Sequence, residues 1–151
     1  RFPQARFLII GSSRPAEPAF RERLEQLATE LGVIDCIQIQ QDNSSEFIRD
    51  AYRSATILTH PSFVESFGLV LLEAMTAGVP VVAHNGTSIP CIVGDRVTVS
   101  VVDFRDSQAY NKARLSLLSD AALRPRIGTG GRRPAITRVA RAGVDARLVS
   151  V

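Results

Sequence analysis

The chain has 151 residues, 45% of them hydrophobic and 22% charged, which excludes a disordered or fibrous polymer and fits one domain or one large piece of a longer protein. Its longest apolar stretch, Phe67 to Leu72, already contains Gly68 and falls far short of the roughly 18 residues that span a bilayer, so no transmembrane segment is expected. The net charge of +3 conceals an asymmetry: residues 1–109 hold thirteen acids against nine arginines, and residues 110–151 hold nine basic residues against two aspartates. Arginine outnumbers lysine 17 to 1, which fits a GC-rich coding bias as well as selection for bidentate phosphate contacts, so the charge by itself does not assign a polyanionic partner. The opening Arg1-Phe-Pro-Gln-Ala-Arg6 has neither Met nor an apolar signal core and reads as a processed chain or, preferably, a fragment. Cys36 and Cys91 have no metal-ligand spacing, and both are expected to be free buried thiols in a reducing, cytoplasmic compartment.

Arg6-Phe-Leu-Ile-Ile10 is a continuous apolar run stopped by Gly11-Ser-Ser, the pattern of a strand buried on both faces. From Pro18 to Leu31, Phe20, Leu24, Leu27, Ala28 and Leu31 recur at three and four residues, an amphipathic helix closed by Gly32. Cys36 to Gln40 alternates as a second strand. Ser44 is a candidate N-cap for a second helix with Phe47, Ile48, Ala51 and Tyr52 on one face. Thr56 to His60 is a third strand, and Phe67 to Ala77 is an apolar helix ended by Gly78. Pro80 to His84 and Val97 to Val102 are further strands, with Asn85-Gly86 a turn between them. Ser107 to Leu118 and Ala121 to Ile127 read as surface helices. Strands alternating with helices imply an α/β fold, a Rossmann-like parallel sheet with helices on both faces and ligands at the carboxyl ends of the strands.

The most informative stretch runs from His60 to Val82. Glu65 falls at the end of a strand, just before a helix starting Ser66-Phe67-Gly68, and Glu73 lies eight residues on in an otherwise apolar helix. Eight helical residues span roughly 12 Å, a length that suits a sugar, a pyrophosphate and a ribose laid end to end. The first N–H groups of a helix lack internal partners and carry partial positive charge, so Phe67, Gly68 and Leu69 offer donors to an anion, and Gly68 lets it approach without a Cβ. Carboxylates beside such a site act as acceptors for vicinal hydroxyls. The competing structural reading is that Glu65 only stabilises the helix N-terminus. Glu73, amid Leu71, Leu72, Ala74 and Met75, needs a ligand or a hydrogen-bonding partner, because a buried carboxylate without one is costly.

These residues resemble the retaining glycosyltransferases of the group 1, or family 4, class, which have the two-domain GT-B architecture. The resemblance rests on Glu65-Ser-Phe67-Gly68, Glu73-Ala-Met75 and Gly78-Val-Pro80-Val-Val82, with weaker similarity from about Phe7 to Gly128. It implies that residues 1–127 form the C-terminal, donor-binding domain, lacking its first strand and helix, followed by a basic tail at 128–151. It further implies that Glu65 binds donor-sugar hydroxyls on the reacting face and is the catalytic residue, that the amides of Ser66 to Leu69 hold the diphosphate, and that Glu73 binds the ribose diol. Asp42 and Asn43 border the base, although Gln41 replaces a common glycine. His60 and His84 are read as packing or hydrogen-bonding residues. The implied substrate is a nucleoside diphosphate sugar, transferred to a hydroxyl acceptor with no cofactor and no metal.

Departures from the family pattern bear on what this chain does alone. An Arg and a Lys that clamp the pyrophosphate, and the acceptor-binding N-terminal domain, are expected outside it, and Thr87-Ser88-Ile89-Pro90-Cys91 replaces a Gly-Gly-x-Pro-Glu loop. The alternative reading is therefore a nucleotide-sugar-binding fragment with no activity of its own. A nucleotide-sugar epimerase is a weaker rival, since the two-glutamate signature belongs to the transferases. Arg124, Arg126, Arg132, Arg133, Arg138, Arg141 and Arg147 are compatible with nucleic acid or peripheral membrane contact, but a solvated or partly disordered tail is the preferred reading. The lack of aromatics after Tyr110 disfavours nucleic acid.

Overall fold

The computed structural model describes residues 2–11, 19–41, 44–86, 89–93, 99–128, 130, 135 and 137. They form two compact units, Arg1–Ile48 and Arg49–Val151. The division falls inside helix α2 (Ser45–Ser54), at a place no composition change marks in the sequence.

In the first unit β1 (Phe7–Gly11) pairs in parallel with β2 (Ile37–Gln41), Phe7 opposite Ile37 and Gly11 opposite Gln41. The connection runs through α1 (Ala19–Glu30) and a 3₁₀ turn, Ile34–Cys36. The expected burial of β1 on both faces is not found: all five residues are exposed, Phe7 at 48%. Burial on both faces needs cover on each side, and the described residues of this unit do not supply it. The apolar stripe of α1 is likewise open, with Phe20, Leu27 and Leu31 exposed and Ala28 alone buried. Cys36 is a free thiol, as expected, but half-buried rather than buried, and Arg6 Nη1 donates to its Sγ at 3.6 Å. The side chain of Cys91 lies outside the described residues.

The second unit holds a three-stranded sheet in the order β3 (Leu58–His60), β4 (Val81–His84), β5 (Val99–Val102), every pairing parallel. The central strand β4 is buried at all four residues. Helix α3 (Leu69–Thr76) buries Leu71, Leu72, Ala74, Met75 and Thr76, so a helix apolar nearly all round is a core element, as its composition requires. Leu71, Met75, Val81, Val82, Ile89, Val93, Val99 and Leu117 are the largest fully buried side chains. Helix α4 (Ile89–Val93) precedes β5. Helix α5 (Ser107–Ser119) starts at Asp106, whose Oδ1 accepts from the N–H groups of Gln108 and Ala109.

Residues 123–128 are helical, and Asp120 Oδ1 accepts from the N–H groups of Ala122 and Leu123 at their start. Arg124 donates from Nη1 to the carbonyls of Leu117 and Leu118, both at 3.1 Å, so this arginine of the basic run caps the end of α5. Arg126 is exposed, and the five arginines from Arg132 onward lie outside the described residues.

Candidate functional site

The strand ends next to His60, Glu65 and His84 lie in the second unit. In the ladder His60 is opposite Ala83, and His84 is opposite Val102, so the loops after β3, β4 and β5 leave one carboxyl edge. His84 ties them together. It is buried, its ring centroid is 4.2 Å from that of Phe63, and its Nδ1 accepts from the N–H of Phe104 at 3.1 Å. An accepting Nδ1 places the proton of the neutral ring on Nε2. The structural reading of His84 is therefore borne out. Asn85 N–H adds a bond to the carbonyl of Val102, and Ser62 Oγ donates to the carbonyl of Val64 inside the β3–α3 loop.

That loop carries Glu65. Helix α3 begins at Leu69, two residues later than the sequence pattern suggests, because Gly68 adopts φ 70°, ψ 38°, outside the helical region. The eight residues from Glu65 to Glu73 are thus a turn followed by helix, and the 12 Å rise for an unbroken helix does not apply. Glu65 Oε1 accepts from the N–H of Gly68 at 2.8 Å and of Phe67 at 3.3 Å, while Oε2 is 3.1 Å from His60 Nε2. A carboxylate only accepts, so His60 Nε2 carries the donating proton. Burial pushes the Glu65 carboxyl upward, but the Gly68 amide, His60 and the Phe67 amide together outweigh it and hold the group below the usual glutamate range. Two of the amides expected to meet an anion thus already meet the carboxylate of Glu65. Ser66, Phe67 and Leu69 are exposed, and Gly68 is buried.

Glu73 is half-buried, and its partner is one that sequence reasoning missed: Tyr52, on α2, donates its hydroxyl to Glu73 Oε2 at 2.9 Å. In the sequence Tyr52 falls on the apolar face of α2, which explains it as packing. A tyrosine on such a face is itself a signal, because a buried phenol needs an acceptor. Burial raises the Glu73 carboxyl above its ordinary range and the Tyr52 hydroxyl pulls it partly back. Burial, then the charge of Glu73, then their hydrogen bond raise Tyr52 far above its own. The structure thus brings Glu65, Ser66, Phe67, Gly68, Leu69 and Glu73 onto one loop and helix, whereas Asp42 and Asn43 lie outside the described residues. Among the described residues no helix is long and apolar enough to cross a membrane.

The raised Glu73 has a consequence for stability. A carboxyl whose folded pKa exceeds its unfolded value, about 4.3 for glutamate, stabilises the fold fully below that value and loses the contribution as pH rises through the folded pKa. Glu73→Gln keeps an acceptor for Tyr52 without the ionisation. The melting temperature of this variant relative to wild type is expected to increase from about pH 4 towards neutrality in thermal unfolding followed by circular dichroism. A difference that decreases over that range would contradict the assignment.

Parallel strands with helices on both sides form the α/β, Rossmann-like architecture that this chain shares with GT-B glycosyltransferases of known structure. The chain belongs to the family described as Glycosyl transferases group 1, whose profile matches residues 1–133. It is 35% identical over 127 residues to the D-inositol 3-phosphate glycosyltransferase of Streptomyces avermitilis, covering 84% of this chain and 27% of that protein. The protein of the same name from Mycolicibacterium smegmatis is 38% identical over 106 residues, 70% of this chain and 24% of that one. Among solved structures, the C-terminal domain of the group 1 family protein LpcC from Francisella tularensis superposes with a TM-score of 0.80 at 29% identity, covering 91% of this chain and 71% of that domain. HepE of Anabaena, in complex with UDP-glucose, gives 0.84 at 21% identity over 98% of this chain and 40% of its own, a likeness of fold. The chain spans about a quarter of the length of the curated relatives it matches.

Proposed function

We propose that residues 1–127 are the donor-binding domain of a retaining glycosyltransferase that moves a sugar from a nucleoside diphosphate to a hydroxyl acceptor without a cofactor or a metal. The observation that carries this reading is the contrast between two carboxylates on one loop and helix. Glu65 is held as an anion by two amides and a histidine, and Glu73 is a half-buried acceptor braced by a tyrosine. Transfer breaks the bond between the anomeric carbon and the diphosphate oxygen, so positive charge grows on the sugar while negative charge grows on the leaving group. A carboxylate kept ionised suits the first, and the N-terminal amides of α3 suit the second. Where the diphosphate uses the Phe67 and Gly68 amides, Glu65 exchanges with it and turns toward the sugar. Glu73 then accepts from the ribose hydroxyls. The UDP-glucose complex of HepE, which has this fold, supports a nucleotide sugar as the ligand class.

Saturation-transfer NMR with a panel of nucleoside diphosphate sugars is expected to select a donor. The full-length protein given that donor should then yield a product with the donor's anomeric configuration, read from the anomeric proton coupling. An inverted product would overturn the retaining assignment, and contact with no member of the panel would overturn the donor site.

A further inference from the structure

We propose that Tyr52 is a positioning residue for the ribose diol, acting through Glu73; the inference rests on the donor-site reading above. Tyr52 is 9% exposed and its hydroxyl has two acceptors in reach, Glu73 Oε2 at 2.9 Å and the carbonyl of Val70 at 3.3 Å. One phenolic proton cannot serve both acceptors fully. It therefore fixes the carboxylate against α2 while retaining a second place to go. Glu73 Oε1 has no hydrogen-bond partner among the described residues. The carboxylate thus reaches the ligand already oriented, with one oxygen open and the other only partly engaged.

When a diol chelates both oxygens, Tyr52 turns to the Val70 carbonyl, and no buried polar group is left unpaired. Without the hydroxyl, a half-buried carboxylate has neither orientation nor a neutralising donor. It rotates, or takes up a proton and presents a donor where the diol needs an acceptor. The raised pKa of Glu73 agrees with this: Tyr52 supplies the one favourable influence that opposes burial.

The test measures binding of UDP and of 2′,3′-dideoxyuridine diphosphate to the full-length protein by calorimetry, with GDP and its dideoxy form as a second pair. Tyr52→Phe keeps the buried ring and removes only the hydroxyl. It is expected to weaken the ribonucleotide about three- to tenfold, the size of one hydrogen bond, and to leave the dideoxynucleotide unchanged. Equal weakening of both, as a merely structural role would give, or no change in either, overturns the proposal. Wild type that binds neither nucleotide, or does not distinguish ribo from dideoxy forms, overturns the donor-site reading instead, as does Glu73→Gln with unaltered ribonucleotide affinity. If Tyr52→Phe does not fold, 3-fluorotyrosine at position 52 reports directly. Its fluorine resonance should shift with the ribonucleotide and not with the dideoxy form, and an unmoved resonance overturns the proposal.

Discussion

Glu65→Gln is expected to lower kcat of the full-length enzyme about 10²–10³-fold while the donor KM changes little. The substitution is nearly isosteric, and the amide oxygen still accepts from Gly68, so the turn that starts α3 keeps its internal cap. His60 adapts as well: in its other tautomer Nε2 is an acceptor and receives a hydrogen bond from the new amide N–H across the same 3.1 Å. What disappears is the charge. Without ligand the Gly68 amide, His60 and the Phe67 amide outweigh burial and keep Glu65 ionised; once the diphosphate has taken the two amides, the carboxylate charge is worth most where positive charge develops on a reacting sugar in a site closed to water. Steady-state kinetics with the cognate donor separates this from loss of the loop, since a collapsed loop raises KM and lowers the melting temperature together. Unchanged kcat would remove Glu65 from the chemistry and leave it the helix-stabilising role that its geometry also permits.

The parts of this fold that were legible in the sequence are those where local pattern and tertiary environment agree. Val81 to Ala83 are apolar and buried, as are Leu71, Leu72, Ala74 and Met75, so the existence of this strand and helix follows from their apolar composition. Ser44 was readable as a cap, and its Oγ accepts from the N–H of Phe47 at 3.2 Å. The first unit departs from its pattern for the converse reason: Phe7 to Ile10 are apolar and exposed, because hydrophobicity reports a need for cover and not its presence. In the site, the spacing of Glu65 and Glu73 was visible, while the start of α3 was not. In the sequence Gly68 signals only room for a ligand, whereas its left-handed backbone is what delays the helix and turns two amides onto Glu65. The partners of the carboxylates, His60 and Tyr52, come from β3 and α2. Nothing in a one-dimensional pattern fixes such pairings.

The largest stability effect is expected at a glycine far from the chemistry, Gly128. A Cβ added there would lie 1.9 Å from the carbonyl oxygen of Gly78 and 2.8 Å from its carbonyl carbon, and both are backbone atoms that no rotamer change can move. Gly78 is itself constrained. With φ 77° it closes α3 in a Schellman turn, in which Gly78 N–H donates to the carbonyl of Met75 and Val79 N–H to that of Ala74. Two residues on, the carbonyl of Pro80 accepts from the N–H of Leu58 at the base of the β3–β4 ladder. A displaced Gly78 therefore disturbs the end of α3 and the entry to the most buried strand together. Gly128→Ala should cost about 3 kcal/mol or more, at or above the upper end of ordinary overpacking, and lower the melting temperature by at least about 6 °C, at about 2–4 °C per kcal/mol for a chain of this length. Gly11→Ala, where nothing lies within 4 Å of the added Cβ, is the control and should change stability by less than about 0.5 kcal/mol. Equal melting temperatures for the two variants would mean that the approach of Gly128 to Gly78 does not hold the second unit together.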